Sequence, residues 1–161
     1  AQLSRDVVPA DRAPGWDTVR EAQRLMETTI APGGMVATVD LTMTDPIHLD
    51  RAAHETLGRR FASRMLDGPA PMLKSATWEG NGQLRLKFTR RVTAPKGRVH
   101  GFDLGEPGVF HATQEAATGD VILLVGPAKN NELYYCRGVN PVCELPEVPA
   151  FGPVALPARP R

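Results

Sequence analysis

Cysteine, serine and net charge are all scarce in this chain, and each scarcity excludes something. Lys and Arg total 19 against 18 Asp and Glu, a net charge of +1 over 161 residues. Such a chain carries no general basic field, which argues against nucleic acid or an anionic membrane as its main partner. No apolar run approaches the roughly 18 residues that a membrane-spanning helix requires. The N-terminus carries no charged-then-apolar leader, so the signal of an exported parent would lie upstream of Ala1. No glycine-rich phosphate loop and no internal repeat is present. The cysteines and histidines show no zinc-type spacing, and no metal or organic cofactor is implied. There are three serines, Ser4, Ser63 and Ser75. None has the glycine-flanked G-D-S or G-x-S-x-G setting that exposes a nucleophilic hydroxyl.

What is present suits a folded α/β chain. With 42% hydrophobic and 23% charged residues, it can bury roughly 70% of its unfolded surface. Ala1 to Ala13 reads as an exposed loop after, at most, one short strand remnant. Trp16 to Ile30 has a helical period that places Trp16, Val19, Ala22/Gln23, Met26 and Ile30 on one face. Ala31-Pro32-Gly33-Gly34 ends that helix. Met35 to Leu41 is short and β-branched, as in a buried parallel strand. Leu49 to Leu66 is a second helix, with Leu49, Ala52/Ala53, Leu57, Phe61 and Met65 predicted inward and Asp50 favouring its N-terminal dipole.

Asp67-Gly68-Pro69-Ala70-Pro71 breaks the composition and marks a domain boundary, 1–66 against 67–161. Beyond it the period changes from 3.6 to 2. Met72 to Trp78 and Gln83 to Phe88 alternate around Glu79-Gly80-Asn81-Gly82, a hairpin signal. Further strands are expected at His100–Leu104, Val109–Gln114, Asp120–Val125 and Glu132–Cys136, the spacing of a small antiparallel sandwich. The tail from Pro141 to Arg161 is proline-rich and expected to be extended without regular structure.

Between the strand and the second helix lies Asp45-Pro46-Ile47-His48. Pro46 stiffens this loop by fixing its own φ and biasing Asp45 away from helical angles. A carboxylate three residues before a histidine can turn back to its Nδ1–H, set the tautomer and leave Nε2 as a general base. The plainer reading of His48 alone is a loop histidine bonded to a backbone carbonyl. His54 reads as a residue of a solvated helix face, and His100 and His111 as isolated structural residues. Trp16 and Trp78 read as core aromatics before sugar-stacking platforms. The Arg20/Glu21 and Arg59/Arg60 charges read as solvated or inter-element pairs. Cys136 and Cys143 enclose six residues that include Gly138, Asn140 and Pro141, a segment able to turn back on itself. A disulfide there fits an oxidising compartment, and two free thiols would fit a cytosolic protein.

The run from Val36 to Ala62 resembles the last block of the SGNH hydrolases, and more closely the sialate O-acetylesterase-like carbohydrate esterases. Its parts are a strand ending in Asp, then Asp45-x-x-His48, then a helix of the type x-x-G-x-R-x-A at Leu57-Gly58-Arg59-Arg60-Phe61-Ala62. Upstream, WDTVREAQ (Trp16 to Gln23) looks like the W-x-x-x-R-E-A-Q segment of the same esterases. Downstream, GPAPMLKSATWEGNGQLRLKF and NELYYCRGVNPVCELPEVPAFGPV look like their β-rich tail. The resemblance implies the C-terminal part of an SGNH-type α/β/α layered domain followed by a small antiparallel β-sandwich. It implies a secreted or periplasmic serine carbohydrate O-acetylesterase whose base and orienter are His48 and Asp45. The serine and oxyanion hole would come from an N-terminal segment absent here, and the substrate would be an acetylated carbohydrate. The alternative is a non-catalytic carbohydrate-binding or structural β-sandwich subunit with a vestigial esterase end.

Overall fold

The computed structural model describes residues 1–5, 13–30, 34–94, 99–105, 109–126, 131–138 and 140–159. Two helices precede seven strands. Helix α1 spans Ala13–Thr29 and α2 spans Arg51–Leu66. The strands are β1 Leu73–Glu79, β2 Gln83–Phe88, β3 Phe102–Asp103, β4 Val109–Gln114, β5 Val121–Val125, β6 Glu132–Tyr135 and β7 Phe151–Ala155. They form two antiparallel sheets, one ordered β1-β2-β5-β4 and the other β3-β6-β7. The mixed α/β class with an antiparallel sandwich is the one expected from the sequence. The Pro32-Gly33 stop expected after α1 lies outside the described residues.

The alternating period builds the sandwich directly. Leu84 and Leu86 of β2 and Val121 and Leu123 of β5 are fully buried. They share one core with Leu133 and Tyr135 of β6 and Phe151 of β7. Tyr135 stacks tilted against Phe102 and Phe151, at 4.8 and 5.6 Å between ring centres. Its hydroxyl accepts from the Leu145 amide, so the ring's one polar atom is satisfied inside the core. The first hairpin turns at Gly80–Gln83. Asn81 and Gly82 have φ of 62° and 76°, and the Gln83 amide donates to the Gly80 carbonyl. That is the backbone twist that suits a tight antiparallel pair.

Four expectations need correction. The tail is not without regular structure, because β7 pairs with β6 through Glu132↔Ala155, Leu133↔Val154 and Tyr135↔Phe151. Residues 34–38 form no sheet ladder, although Met35 to Val39 are buried. Of Ala1 to Ala13, residues 6–12 lie outside the described residues, and residues 2–5 are not an exposed loop, since Gln2 is only 2% exposed and the next three are half-buried. The Gln2 amide donates to the Val36 carbonyl, and the Ser4 hydroxyl donates to that of Thr38, so residues 2–4 run beside 36–38 in the same direction. The Gln2 side chain then bonds both the carbonyl and the amide of Ala150.

The fourth correction concerns the helices. Part of the faces predicted to be inward is turned out: Val19 and Met26 on α1, Ile30 just beyond it, and Phe61 and Met65 on α2 are exposed, while Ala53 is buried as expected and Trp16, Leu49 and Leu57 are half-buried. The faces that dock carry charged residues as well. On α1 they carry Arg20, which is 1% exposed, and Glu27, whose carboxylate reaches Arg64 of α2 at 2.7 Å and the Met35 amide at 2.7 Å. On α2 the buried residues are Ala53 and Arg60. Hydrophobic periodicity locates an apolar stripe, but here hydrogen bonds to backbone carbonyls decide which face docks.

Candidate active site

Asp45 and His48 sit on a loop closed at its base. Met43 and Leu49 form an antiparallel bridge, with the Thr44 amide donating to the His48 carbonyl and the Asp50 amide to that of Thr42. Asp50 caps α2 by accepting from the Ala53 amide at 2.7 Å, satisfying one of the helix's free N-terminal donors. Bridge and cap thus pin both ends of the loop.

Within it, Asp45 Oδ1 accepts from the Ile47 and His48 amides at 2.9 and 2.8 Å. Its Oδ2 lies 2.8 Å from His48 Nδ1. Every proton donor here points at the carboxylate. The Ile47 amide, then the His48 ring and amide, hold the Asp45 carboxyl down at about 2. Asp45 is therefore ionised at neutral pH, and an ionised partner keeps the proton on Nδ1 and leaves Nε2 as the acceptor. The His48 side chain is 70% exposed, and its Nε2 makes no hydrogen bond to the described residues.

The loop is positioned from beneath by a buried ion pair. Arg60 of α2 donates to both oxygens of Asp40, at 2.8 and 2.5 Å, and its Nη1 also donates to the Ala37 carbonyl at 2.8 Å. Both side chains are nearly buried, at 8% and 10% exposure. Asp40 precedes the loop and Arg60 lies two turns into the helix that follows it, so the pair ties its entry to its exit.

A second arginine joins the helices to the sandwich. Arg20 donates to the carbonyls of Leu3, Ser4, Cys136 and Gly138, and to Asp17. Asp17 in turn accepts from the Gly138 amide. The Cys136–Cys143 disulfide closes that strand end, with Cα atoms 5.8 Å apart. Gly101 abuts it with φ of 104°, and a Cβ there would lie 2.8 Å from the Val142 carbonyl and 2.9 Å from the Tyr135 ring.

The remaining sequence candidates have structural surroundings. Trp16 is half-buried and donates to the Ser4 carbonyl; Trp78 is half-buried and donates to that of Pro157. His54 is exposed and bonds the Asp50 carbonyl. No serine meets His48: the Ser4 hydroxyl is engaged with Thr38 and Met43, Ser63 with Asp67, and Ser75 is exposed on β1. What reading by sequence missed is the structural weight of Arg20, Arg60 and Asp40. The signal available was their place in the two quoted motifs.

The two helices and two antiparallel sheets match, as a fold, part of a solved esterase structure. The particular likeness is to the crystal structure of a carbohydrate acetylesterase from Xanthomonas citri, with a TM-score of 0.68 and 21% identity over 93% of this chain. At that identity the likeness concerns the fold. The chain spans 39% of that enzyme's length. No protein-family model matches the chain, and no curated protein does.

Proposed function

We propose that this chain carries the base and its orienter for a serine carbohydrate O-acetylesterase of the SGNH, sialate O-acetylesterase-like kind. The observation behind the proposal is the Asp45–His48 pair. Its 2.8 Å contact to Nδ1, ionised carboxylate and open Nε2 are what a general base for serine attack requires. The fold shared with a carbohydrate acetylesterase supports the substrate class, an acetyl ester on a sugar. The disulfide supports a secreted or periplasmic setting. No helix among the described residues is long and apolar enough to cross a membrane.

In this reading the nucleophile belongs to a companion segment of the same esterase, because none of Ser4, Ser63 and Ser75 meets His48. That serine attacks the acetyl carbonyl while His48 Nε2 takes its proton. The tetrahedral intermediate collapses as His48 returns the proton to the departing sugar oxygen. Water, deprotonated by the same nitrogen, then releases acetate from the acyl-serine. Asp45 stays ionised and stabilises the imidazolium in both halves. The oxyanion donors come with the serine. The exposed apolar stripes of α1 and α2 offer the companion segment a surface to cover.

Acetate release from an acetylated sugar tests this. The 161-residue chain alone should be inactive, and combining it with the serine-bearing segment should give turnover. His48→Ala should remove most of that turnover. Asp45→Ala should also cost activity, and less of it, as the orienting carboxylate does in some triads. Hydrolysis by the chain alone at a rate that His48→Ala leaves unchanged would overturn both the site and the division of labour. Sugar binding without turnover in the combined material would favour the non-catalytic module.

A further inference from the structure

We propose that His100 and His111 form a two-imidazole site for a divalent transition-metal ion on the outer face of the sandwich, separate from the Asp45–His48 loop. The sequence separates the two residues, but a backbone contact between their segments brings them towards one cavity. The Val99 amide donates to the Ala112 carbonyl at 3.1 Å. That bond sets the segment carrying His100 beside the edge strand β4, which carries His111. Val99 and Ala112 are both buried, at 3% and 5% exposure, so the alternation turns both histidines outward, and both are exposed. His100 and His111 both line a cavity of about 90 Å³ with Val99, Gly101, Phe102 and Val109.

The second observation is the carboxylate behind one ring. Glu144 Oε2 lies 2.6 Å from His100 Nδ1 and also accepts from the His100 amide at 3.1 Å. That contact fixes the Nδ1–H tautomer and leaves Nε2 as the ligating atom. A carboxylate holding the far nitrogen is the usual support of a metal-bound histidine. Glu144 directly follows Cys143, so the disulfide anchors the segment that carries it. Among the described residues no group of three or more His, Cys, Asp or Glu side chains could hold an ion by itself. The proposed site is an open one, with two protein nitrogens and its other positions left to water or a ligand's oxygen. Imidazole donors select zinc, nickel or copper over calcium or magnesium.

Calorimetric titration of the full chain with Zn²⁺ tests the proposal, alongside imidazole resonances followed by NMR on the same sample. One equivalent should bind, shifting the rings of His100 and His111 and leaving those of His48 and His54 in place. His100→Ala and His111→Ala should each abolish saturable binding. Glu144→Gln should weaken it by about tenfold, the lower end of what loss of such a support costs, and His54→Ala should leave it unchanged. No saturable binding by the wild-type chain would overturn the proposal, as would shifts mapping to other histidines or one equivalent still bound after both replacements. The NMR reading needs no variant, so a misfolded substitution cannot mask the result.

Discussion

Replacing Arg60 by methionine removes the charge beneath the Asp45–His48 loop and keeps most of the side-chain volume. Asp40 would then be left about 10% exposed without its two guanidinium donors, and the Ala37 carbonyl would lose its own. Breaking a buried pair by deleting one partner costs about 3–5 kcal/mol, mostly from the stranded charge. A domain holds about 5–15 kcal/mol in all, so the loss is a large share. Urea unfolding should show it as a lower midpoint at unchanged slope. With a slope of about 1–3 kcal/mol per molar, a 3 kcal/mol loss is a shift of roughly 1–3 M. The double variant Asp40→Asn with Arg60→Met should recover part of the stability, because no net charge is then left buried. His48 resonances should move in the single variant, since the pair brackets its loop. A cost below about 1 kcal/mol for Arg60→Met, the range of an exposed ion pair, would refute the reasoning. So would a double variant no more stable than the single one.

Two further outcomes follow from the same geometry. The Asp45 carboxyl should titrate by NMR near 2 instead of 3.8. Because its folded value is depressed, its contribution to stability is complete above 3.8 and lost as pH falls towards 2; His48→Ala should raise the titration only partway, with the Ile47 and His48 amides still in place, and a wild-type value near 3.8 would contradict the hydrogen bonding described. Thiol titration of the unreduced, denatured chain should find no free cysteine, and Cys143→Ser should cost about 2.5 kcal/mol on the loop-entropy estimate; two titratable thiols would remove the bridge and the compartment argument with it.

Much of the fold is legible in the sequence because the sandwich obeys one rule. Each strand of the larger sheet must hide alternate residues, and β2 and β5 do so with leucine and valine at every second position. The Glu79-Gly80-Asn81-Gly82 turn is equally readable, since few residues accept the positive φ it needs. β7 escapes the same reading because Phe151-Gly152-Pro153-Val154-Ala155 carries a glycine and a proline, which ordinarily argue against a strand. It is tolerated because β7 stands at the edge of its sheet, paired only with β6.

The candidate site divides along a different line. A loop such as Asp45-Pro46-Ile47-His48 is legible because all its determinants are local: a proline that stiffens it, a carboxylate, and a ring three residues away. The arginine clamps are not, because Arg20 spans 116 residues to Cys136 and Arg60 reaches back 20 to Asp40. Charged residues on a helix are ordinarily solvated, so periodicity assigns them to water and the apolar stripe to the core. Here the carbonyls of residues 3, 4, 37, 136 and 138 are left without ladder partners by short, irregular segments, and buried carbonyls need donors. Guanidinium supplies several donors from one side chain, which lysine could not arrange in a plane. The W-x-x-x-R-E-A-Q and x-x-G-x-R-x-A patterns thus mark two arginines that hold backbone, Arg20 between the helices and the sandwich and Arg60 next to the loop, while the loop itself holds the groups proposed to react.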